Sequence, residues 1–238
     1  MNILITNDDG IRSPVLPLLA TWAKKLGNVT VAAPKVEQSG KSQAINFTQE
    51  IEIMQVELAP DVIGYQVDST PADCVRFATH ALNIKFDLIL SGINRGYNLG
   101  DDIVYSGTCG AIFEGSRLGI NGLAVSADPT NLMEAPDALD DVWAFILKNN
   151  LYAHNPLYNV NIPPSPKGIR ITKQGGPYYT DTFLHTNGHL YVQSGNIKQD
   201  TGTDPSTDIN TVRAGSISVT PLIASRTELS VFESFKKL

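Results

Sequence analysis

The sequence predicts an α/β fold with a mostly parallel sheet, followed by a hairpin-like extension toward the C-terminal end. Two observations lead to this prediction. Over residues 1–130, short β-branched runs alternate with segments of helical periodicity, which is the pattern of βαβ units. Beyond about residue 150, the chain becomes polar and rich in turn residues. A length of 238 residues suits one large domain spanning residues 1–238.

Four apolar runs predict the strands of the parallel sheet. Each is short, and each stops at a loop containing polar residues, glycine or proline, as buried parallel strands do. The predicted strands are residues 3–6, 29–33, 87–90 and 123–126. Because the carboxyl ends of parallel strands share one edge of a sheet, the residues that follow these strands are expected to lie together.

Helical spacing and recognisable helix ends predict four helices between and after these strands. Gly27 stands where a helix commonly ends, and Thr70 with Pro71 forms a typical helix start. The predicted helices are residues 16–26, a segment beginning at Pro71, 108–118 and 136–148.

The last third of the chain predicts less regular structure. Prolines at positions 156, 163, 164 and 166 indicate turns, and residues 175–208 contain short alternating pieces that suggest an extended hairpin. A strand over residues 216–220 and a terminal helix over residues 226–237 complete the prediction.

Composition narrows the functional classes. Hydrophobic residues make up 42% of the chain, and no apolar run approaches the roughly 18 residues of a membrane span. With no signal-like leader, a cytoplasmic protein without a membrane partner is expected. A net charge of −6 argues against a stable nucleic-acid partner, although small phosphorylated substrates stay compatible with it.

The residues at the strand ends indicate a metal site. Asp8 and Asp9 follow the first strand, Ser39 follows the second, and Asn94 follows the third. Adjacent carboxylates repel unless a cation compensates, and oxygen ligands suit a hard divalent cation such as Mg²⁺ or Mn²⁺. The alternative is that Asp8-Asp9-Gly10 is only a turn, since Asp-Gly is a common turn signal.

A second candidate element is the helix that follows Ser106-Gly107-Thr108. The unpaired N–H groups at a helix start attract anions, and a glycine there lets a phosphate approach closely. An ordinary capped helix is the competing interpretation, because serine and threonine are common N-cap residues.

Several long motifs, in order along nearly the whole chain, resemble those of the SurE-type survival-protein nucleotidases. The motifs are ILITNDDGI from residue 3, AP at 33–34 with QSG at 38–40, STPADCV at 69–75, SGINRGYNLG at 91–100, YSGT at 105–108, EG at 114–115, TDI at 207–209 and SISVTPL at 216–222.

The resemblance implies a Rossmann-like core with helices on both faces of the sheet. It also implies one divalent cation per subunit, held by Asp8, Asp9, Ser39 and Asn94. The implied activity is hydrolysis of nucleoside 5′- and 3′-monophosphates, and in some members of short polyphosphates. Finally, it implies homodimers or homotetramers that exchange C-terminal segments, with an oligomerisation segment at about residues 175–215.

Together these observations give a mechanistic hypothesis. Asp8, Asp9 and Asn94 are the predicted catalytic residues, and the predicted substrate-binding residues are Asn94, Asn98, Ser106, Gly107 and Thr108. Attack by water and direct attack by a carboxylate both stay open. A nucleotide-binding module without turnover is a rival function, and a haloacid-dehalogenase-like phosphatase would need an Asp-x-Asp pattern that this chain lacks.

Overall fold

A computed structural model describes residues 1–59 and 62–236. The strands of this part of the chain are β1 (Asn2–Thr6), β2 (Asn28–Pro34), β3 (Ile53–Ala59), β4 (Val62–Val67), β5 (Leu88–Arg95), β6 (Asn121–Ala127), β7 (Leu157–Ile162), β8 (Ile169–Ile171), β9 (Tyr179–Asn187), β10 (Leu190–Ile197) and β11 (Ile217–Pro221).

The α-helices are α1 (Leu16–Ala23), α2 (Pro71–Ala81), α3 (Gly107–Ser116), α4 (Leu139–Lys148), α5 (Asp208–Arg213) and α6 (Leu229–Phe235). Short 3₁₀ segments connect some of these elements, and one of them, Gly100–Tyr105, leads directly into α3. Within residues 1–59 and 62–236, no helix is both long and apolar enough to cross a membrane.

Nine strands form one sheet in the order β3-β4-β2-β1-β5-β6-β7-β11-β8. From β4 to β7 every neighbouring pair is parallel, whereas β3 pairs antiparallel with β4, and β11 with β7. Strands β9 and β10 form a separate antiparallel hairpin. The predicted mostly parallel sheet and hairpin extension are therefore confirmed.

Helices cover both faces of the large sheet. Ile3 and Ile5 of β1 pack in one apolar cluster with residues of α1 and α4. Leu4, between them, packs in a second cluster with residues of α2 and α3. Because successive side chains of a strand point to opposite faces, these two clusters lie on the two sides of the sheet.

The four predicted strands are confirmed as β1, β2, β5 and β6, which are neighbours in the sheet. The third is longer than predicted, because β5 continues through Ser91 to Arg95 with an irregularity in its pairing to β6. A side chain at Gly92 would lie 2.2 Å from the carbonyl oxygen of Val125, so only glycine fits this irregularity. Asn94, predicted to follow the third strand, therefore lies within β5, at its irregular end.

The predicted helices are present with shifted ends. Helix α1 stops at Ala23, and Thr70 caps α2 by accepting a hydrogen bond from the Asp73 N–H. The predicted helix over residues 136–148 is divided into a 3₁₀ turn and α4, and the predicted terminal helix is the shorter α6. Residue 237, the end of that predicted helix, lies outside the described residues.

Four strands and one helix were not predicted: β3, β4, β7, β8 and α5. Strand β7 is fully buried although it lies between prolines that indicated turns. Strands β3 and β4 form the hairpin at one edge of the sheet, where partial exposure of β3 weakens its apolar pattern.

Candidate active site

Asp8 and Asp9 lie in a tight turn immediately after β1. The side chain of Asn7 closes this turn, donating to the Gly10 carbonyl at 3.0 Å and accepting from the Gly10 N–H at 3.0 Å. Gly10 has φ +92°, a conformation that favours glycine. The turn interpretation and the site interpretation of this segment are therefore compatible, since the turn holds both carboxylates at the sheet edge.

Asp8 is nearly fully buried and bound to the start of α3. Its Oδ2 accepts the Thr108 N–H at 3.1 Å, and its Oδ1 accepts the Thr108 hydroxyl at 2.7 Å. Burial raises the pKa of Asp8, while the bonds from Thr108 oppose that rise. The positive end of the helix dipole also favours a carboxylate here.

Asp9 is partly buried and bound to the end of β5. Its Oδ2 accepts the Arg95 N–H at 3.0 Å. Desolvation raises the pKa of Asp9 to about 6, the Arg95 N–H lowers it, and the charges of Asp8 and Glu37 raise it further. The charge of Asp8 thus disfavours the charged form of Asp9, which is the situation that a bound cation relieves.

Ser39 and Asn94 complete the predicted donor set. The loop that carries Ser39 is tied to the Asp8 turn, because the Gln38 N–H donates to the Asp8 carbonyl at 2.7 Å. The Ser39 hydroxyl donates to Glu37 Oε1 at 2.6 Å, and Asn94 Nδ2 donates to the Gly96 carbonyl at 2.8 Å. Asn94 therefore keeps its amide oxygen as the atom that can act as a ligand.

A cleft of about 560 Å³ joins three of these side chains, those of Asp8, Ser39 and Asn94. Its size falls within the range of about 300–1,000 Å³ that is typical of small-molecule sites. Asp9 is not among the lining residues, but its partner Arg95 is. The donor set is all oxygen, with two carboxylates and two neutral groups, and this chemistry fits a hard divalent cation.

No group of three or more His, Cys, Asp or Glu side chains forms a metal site in the part of the chain that the structure describes. A site built on Asp8 and Asp9 has only two carboxylates, so its other protein ligands have to be neutral oxygens. Ser39 and Asn94 are neutral oxygen-bearing residues that line the cleft with Asp8.

The predicted substrate-binding residues occupy two kinds of position. Asn94, Asn98 and Ser106 line the cleft. Gly107 and Thr108 lie behind it, where both are buried. A side chain at Gly107 would lie 2.9 Å from Oδ2 of Asp8, so this glycine allows close approach of Asp8 to the helix. A contact of Gly107 or Thr108 with phosphate stays a prediction.

Ser106 caps α3 as the competing interpretation expected. Its Oγ accepts the Cys109 N–H at 3.0 Å, and its side chain still borders the cleft. The first N–H groups of the helix are thus shared between Asp8 and Ser106. Because the start of α3 donates hydrogen bonds to Asp8, it fixes this carboxylate at the cleft wall.

A buried polar network fixes Asn98. Its N–H donates to Asn161 Oδ1 at 2.8 Å, and its carbonyl accepts from Nδ2 of Asn159 at 2.8 Å and of Asn161 at 2.9 Å. Its own Nδ2 donates to Ser126 Oγ at 2.8 Å. Asn159 and Asn161 were not identified from the sequence as partners of Asn98. Two asparagines at alternate positions of a buried strand could have indicated such a network, because buried amide groups need hydrogen-bond partners.

The hairpin supplies a wall of the cleft that sequence reasoning also missed. Tyr178, Tyr179, Asp181 and Gln193 line the cleft on the side of β9 and β10. Asp102 accepts the N–H groups of Tyr178 at 2.9 Å and Tyr179 at 2.8 Å, which attaches the hairpin root to the loop before α3. No local pattern indicates this contact, because it joins segments about 75 residues apart in the chain.

Comparison with known proteins gives a consistent result. Residues 3–181 match the family model described as "Survival protein SurE". The chain is 36% identical to the 5′-nucleotidase SurE of Petrotoga mobilis, with 99% of this chain and 98% of the relative covered. It is 39% identical to the 5′-nucleotidase SurE of Acinetobacter baumannii, with 99% and 98% covered.

The fold agrees with a solved structure of similar sequence. The crystal structure of the SurE protein from Aquifex aeolicus superposes with a TM-score of 0.80 at 33% identity, covering 100% of this chain and 99% of that one. A family match over three quarters of the chain, relatives of equal length and a shared fold lead to one conclusion. The chain belongs to the survival protein SurE family.

Proposed function

We propose that this protein is a metal-dependent phosphomonoesterase that hydrolyses nucleoside 5′- and 3′-monophosphates, with short polyphosphate as a secondary substrate. The observation that carries the proposal is the convergence of Asp8, Ser39 and Asn94 on one cleft at the carboxyl ends of parallel strands. Relatives named 5′-nucleotidase SurE support the same class of reaction.

Asp8, Asp9, Ser39 and Asn94 would hold one Mg²⁺ or Mn²⁺ per subunit. When bound, the cation supplies Lewis acidity toward a phosphate oxygen and offsets the paired carboxylate charges. The raised pKa values of Asp8 and Asp9 support this assignment, because they indicate that the two anions are poorly compensated by protein groups alone.

The chain's own groups position and neutralise the phosphate. The amides of Asn94 and Asn98 and the Ser106 hydroxyl offer donors at the cleft wall, where charge on the transferring group is stabilised. Thr108 fixes Asp8 through two hydrogen bonds, so that this carboxylate does not have to reorganise during the reaction. Gly107 allows that arrangement by its lack of a side chain.

Water is the proposed nucleophile, with Asp8 or Asp9 accepting its proton. The water oxygen bonds to phosphorus while the ester P–O bond breaks, and the departing nucleoside oxygen takes up a proton. Attack by a carboxylate is the rival. It fits Asp8 less well, because both oxygens of Asp8 already accept hydrogen bonds from Thr108. Attack by Asp9, which accepts the Arg95 N–H through Oδ2, stays open. Trapping of an aspartyl-phosphate with a slowly hydrolysed substrate would favour the rival.

A nucleotide-binding module without turnover would use the same cleft. The two functions differ in phosphate release, which a binder does not catalyse. We expect release from 5′- and 3′-nucleoside monophosphates with Mn²⁺ or Mg²⁺, and none after chelation of the metal.

Asp8→Asn is expected to lower kcat/KM by at least about 100-fold, as loss of a charge-stabilising group does. Asp141→Asn, an exposed carboxylate on α4 and far from the cleft residues in the chain, is the matched control and should keep full activity. Full activity of Asp8→Asn at saturating metal would contradict its role, and no release by the wild type with either metal would favour the binding module.

A further inference from the structure

The cleft extends well beyond the phosphate end, to side chains of the β9–β10 hairpin. Building on the proposed function, we propose that this hairpin side is the subsite for the nucleoside base, and that Asp181 makes it prefer guanine. The base would stack on Tyr179 and present its N–H edge to Asp181.

Strand register places the relevant side chains on one face of the hairpin. Tyr179 and Asp181 are two residues apart on β9, so both point to the same side. Gln193 is paired with Phe183, the next residue of that alternation, and therefore shares the face. Gly195 stands directly opposite Asp181 and has no side chain that could cover the carboxylate, and a Cβ there would lie 2.5 Å from the Thr180 carbonyl oxygen.

Tyr179 offers an aromatic surface at this end of the cleft. Its side chain is 42% exposed, whereas its neighbour Tyr178 is only 7% exposed and packs with Leu99, Ile209 and Val212. The two rings meet edge to face with centroids 4.9 Å apart. A buried ring therefore supports an exposed one, which is the arrangement of a stacking platform.

The platform is also held in place through its backbone. Asp102 Oδ2 accepts the N–H groups of both Tyr178 and Tyr179. The Asp101 N–H donates to the Gly176 carbonyl at 3.2 Å, which adds a second connection between the same segments. Since Asp102 leads through residues 103–105 to Ser106, one continuous segment connects the base end and the phosphate end of the cleft.

The polar groups beside the platform favour a base that carries adjacent donors. Gln193 Nε2 donates to Asp181 Oδ1 at 3.4 Å, which leaves Oδ2 of Asp181 and Oε1 of Gln193 as acceptors. Guanine presents an N1–H beside an exocyclic amino group, two donors that match a carboxylate. Hypoxanthine lacks the amino group, and uracil places a carbonyl on each side of its single N–H.

The test compares three phosphates that differ only at the base: guanosine 5′-monophosphate, inosine 5′-monophosphate and ribose 5-phosphate. We expect the wild type to prefer the guanosine over the inosine compound by about tenfold in kcat/KM. This ratio corresponds to the weakest hydrogen bonds to charged groups, and we use it because Asp181 is exposed to solvent. Asp181→Asn should reduce this ratio to within about twofold and leave hydrolysis of ribose 5-phosphate unchanged.

Tyr179→Leu should lower kcat/KM for both nucleotides by about tenfold, because stacking on the base is lost, and should not affect ribose 5-phosphate. Tyr179→Phe keeps the ring and should therefore keep kcat/KM for both nucleotides. Asp141→Asn is the charge-matched control. An equal rate for the guanosine and inosine compounds in the wild type, or an unchanged ratio in Asp181→Asn, would overturn the role of Asp181. A parallel loss on ribose 5-phosphate in Tyr179→Leu would overturn the base subsite.

A calorimetric measurement of guanosine and inosine binding separates this proposal from the proposed function. These nucleosides carry no phosphate, so their affinities do not depend on turnover. Tighter binding of guanosine that is lost in Asp181→Asn supports the subsite even if no phosphate is released from any substrate. Equal affinities of the two nucleosides would contradict it.

Discussion

At the scale of single residues, the pair Asp8 and Thr108 connects the end of β1 to the start of α3. Each oxygen of the carboxylate accepts one hydrogen bond from Thr108, and both residues are buried. A buried carboxylate without such donors would bear most of its desolvation cost uncompensated. The threonine hydroxyl therefore contributes to stability and also keeps Asp8 in place at the cleft.

Thr108→Val removes this hydroxyl while keeping nearly the same shape. We expect a loss of about 1–3 kcal/mol in the free energy of unfolding, because a buried acceptor loses its partner. We also expect a lower kcat/KM, because Asp8 is less well fixed. Urea unfolding and phosphate release measure the two effects. Thr108→Ser, which keeps the hydroxyl, is the control, and equal behaviour of the valine and serine variants would contradict this role.

At the scale of elements, the short helix α5 joins the hairpin root to the loop that precedes α3. Asp208, at the first position of α5, is buried and accepts N–H groups from Gly100 at 2.9 Å, Gly175 at 2.8 Å and Ile209 at 2.8 Å. Burial raises the pKa of Asp208, and these three bonds oppose the rise. One carboxylate thus connects three segments that are distant in sequence.

Asp208→Asn replaces one accepting oxygen by a donor, which then faces an N–H group. The expected result is a loss of about 1–3 kcal/mol in unfolding free energy, together with faster amide hydrogen exchange at Gly100 or Gly175. Denaturant unfolding and exchange measurements test both effects. Asp200→Asn, an exposed residue that accepts one N–H from Gly202, should change stability by less than about 0.5 kcal/mol. Unchanged exchange at both glycines would show that the connection is dispensable.

At the scale of the whole molecule, the parallel core and the strand-end residues were predictable, because both depend on local patterns. Buried apolar runs that stop at polar loops indicated β1, β2, β5 and β6, and the shared edge of parallel strands led to the expectation that the residues after them lie together. Strand β7 was missed although Tyr158, Val160 and Ile162 alternate with Asn159 and Asn161, because the prolines on either side of it indicated turns. The two buried asparagines donate to the Asn98 carbonyl.

The hairpin wall of the cleft was not predictable for a different reason. Its contact with Asp102 joins residues 76 positions apart in the chain, and β9 itself is exposed along its whole length. The sequence therefore indicated the residues at the phosphate end of the cleft, but not those at the end that is proposed to hold the base.

Exposed apolar side chains at the C-terminal end favour self-association, which the resemblance also implies. Phe183, Leu190 and Tyr191 of the hairpin are 68%, 66% and 61% exposed, and on α6 Leu229 and Phe235 are 62% and 61% exposed. Large exposed apolar side chains favour burial in an interface, which gains about 25 cal/mol per Å² of apolar area.

We therefore expect a homodimer or homotetramer in which the segment at about residues 175–215 and the C-terminal segment contact a second copy of the chain. Light scattering coupled to size exclusion should give a multiple of the 25.8 kDa chain mass. Replacement of Phe183 and Tyr191, which share one face of the hairpin, by serine should shift the protein toward the monomer, because two apolar anchors are lost from the interface. Thr182→Ala, on the opposite face of the hairpin from Tyr191, is the control and should leave the mass unchanged. A monomeric wild type at micromolar concentration would contradict the oligomer, and an unchanged mass in the double variant would place the interface elsewhere.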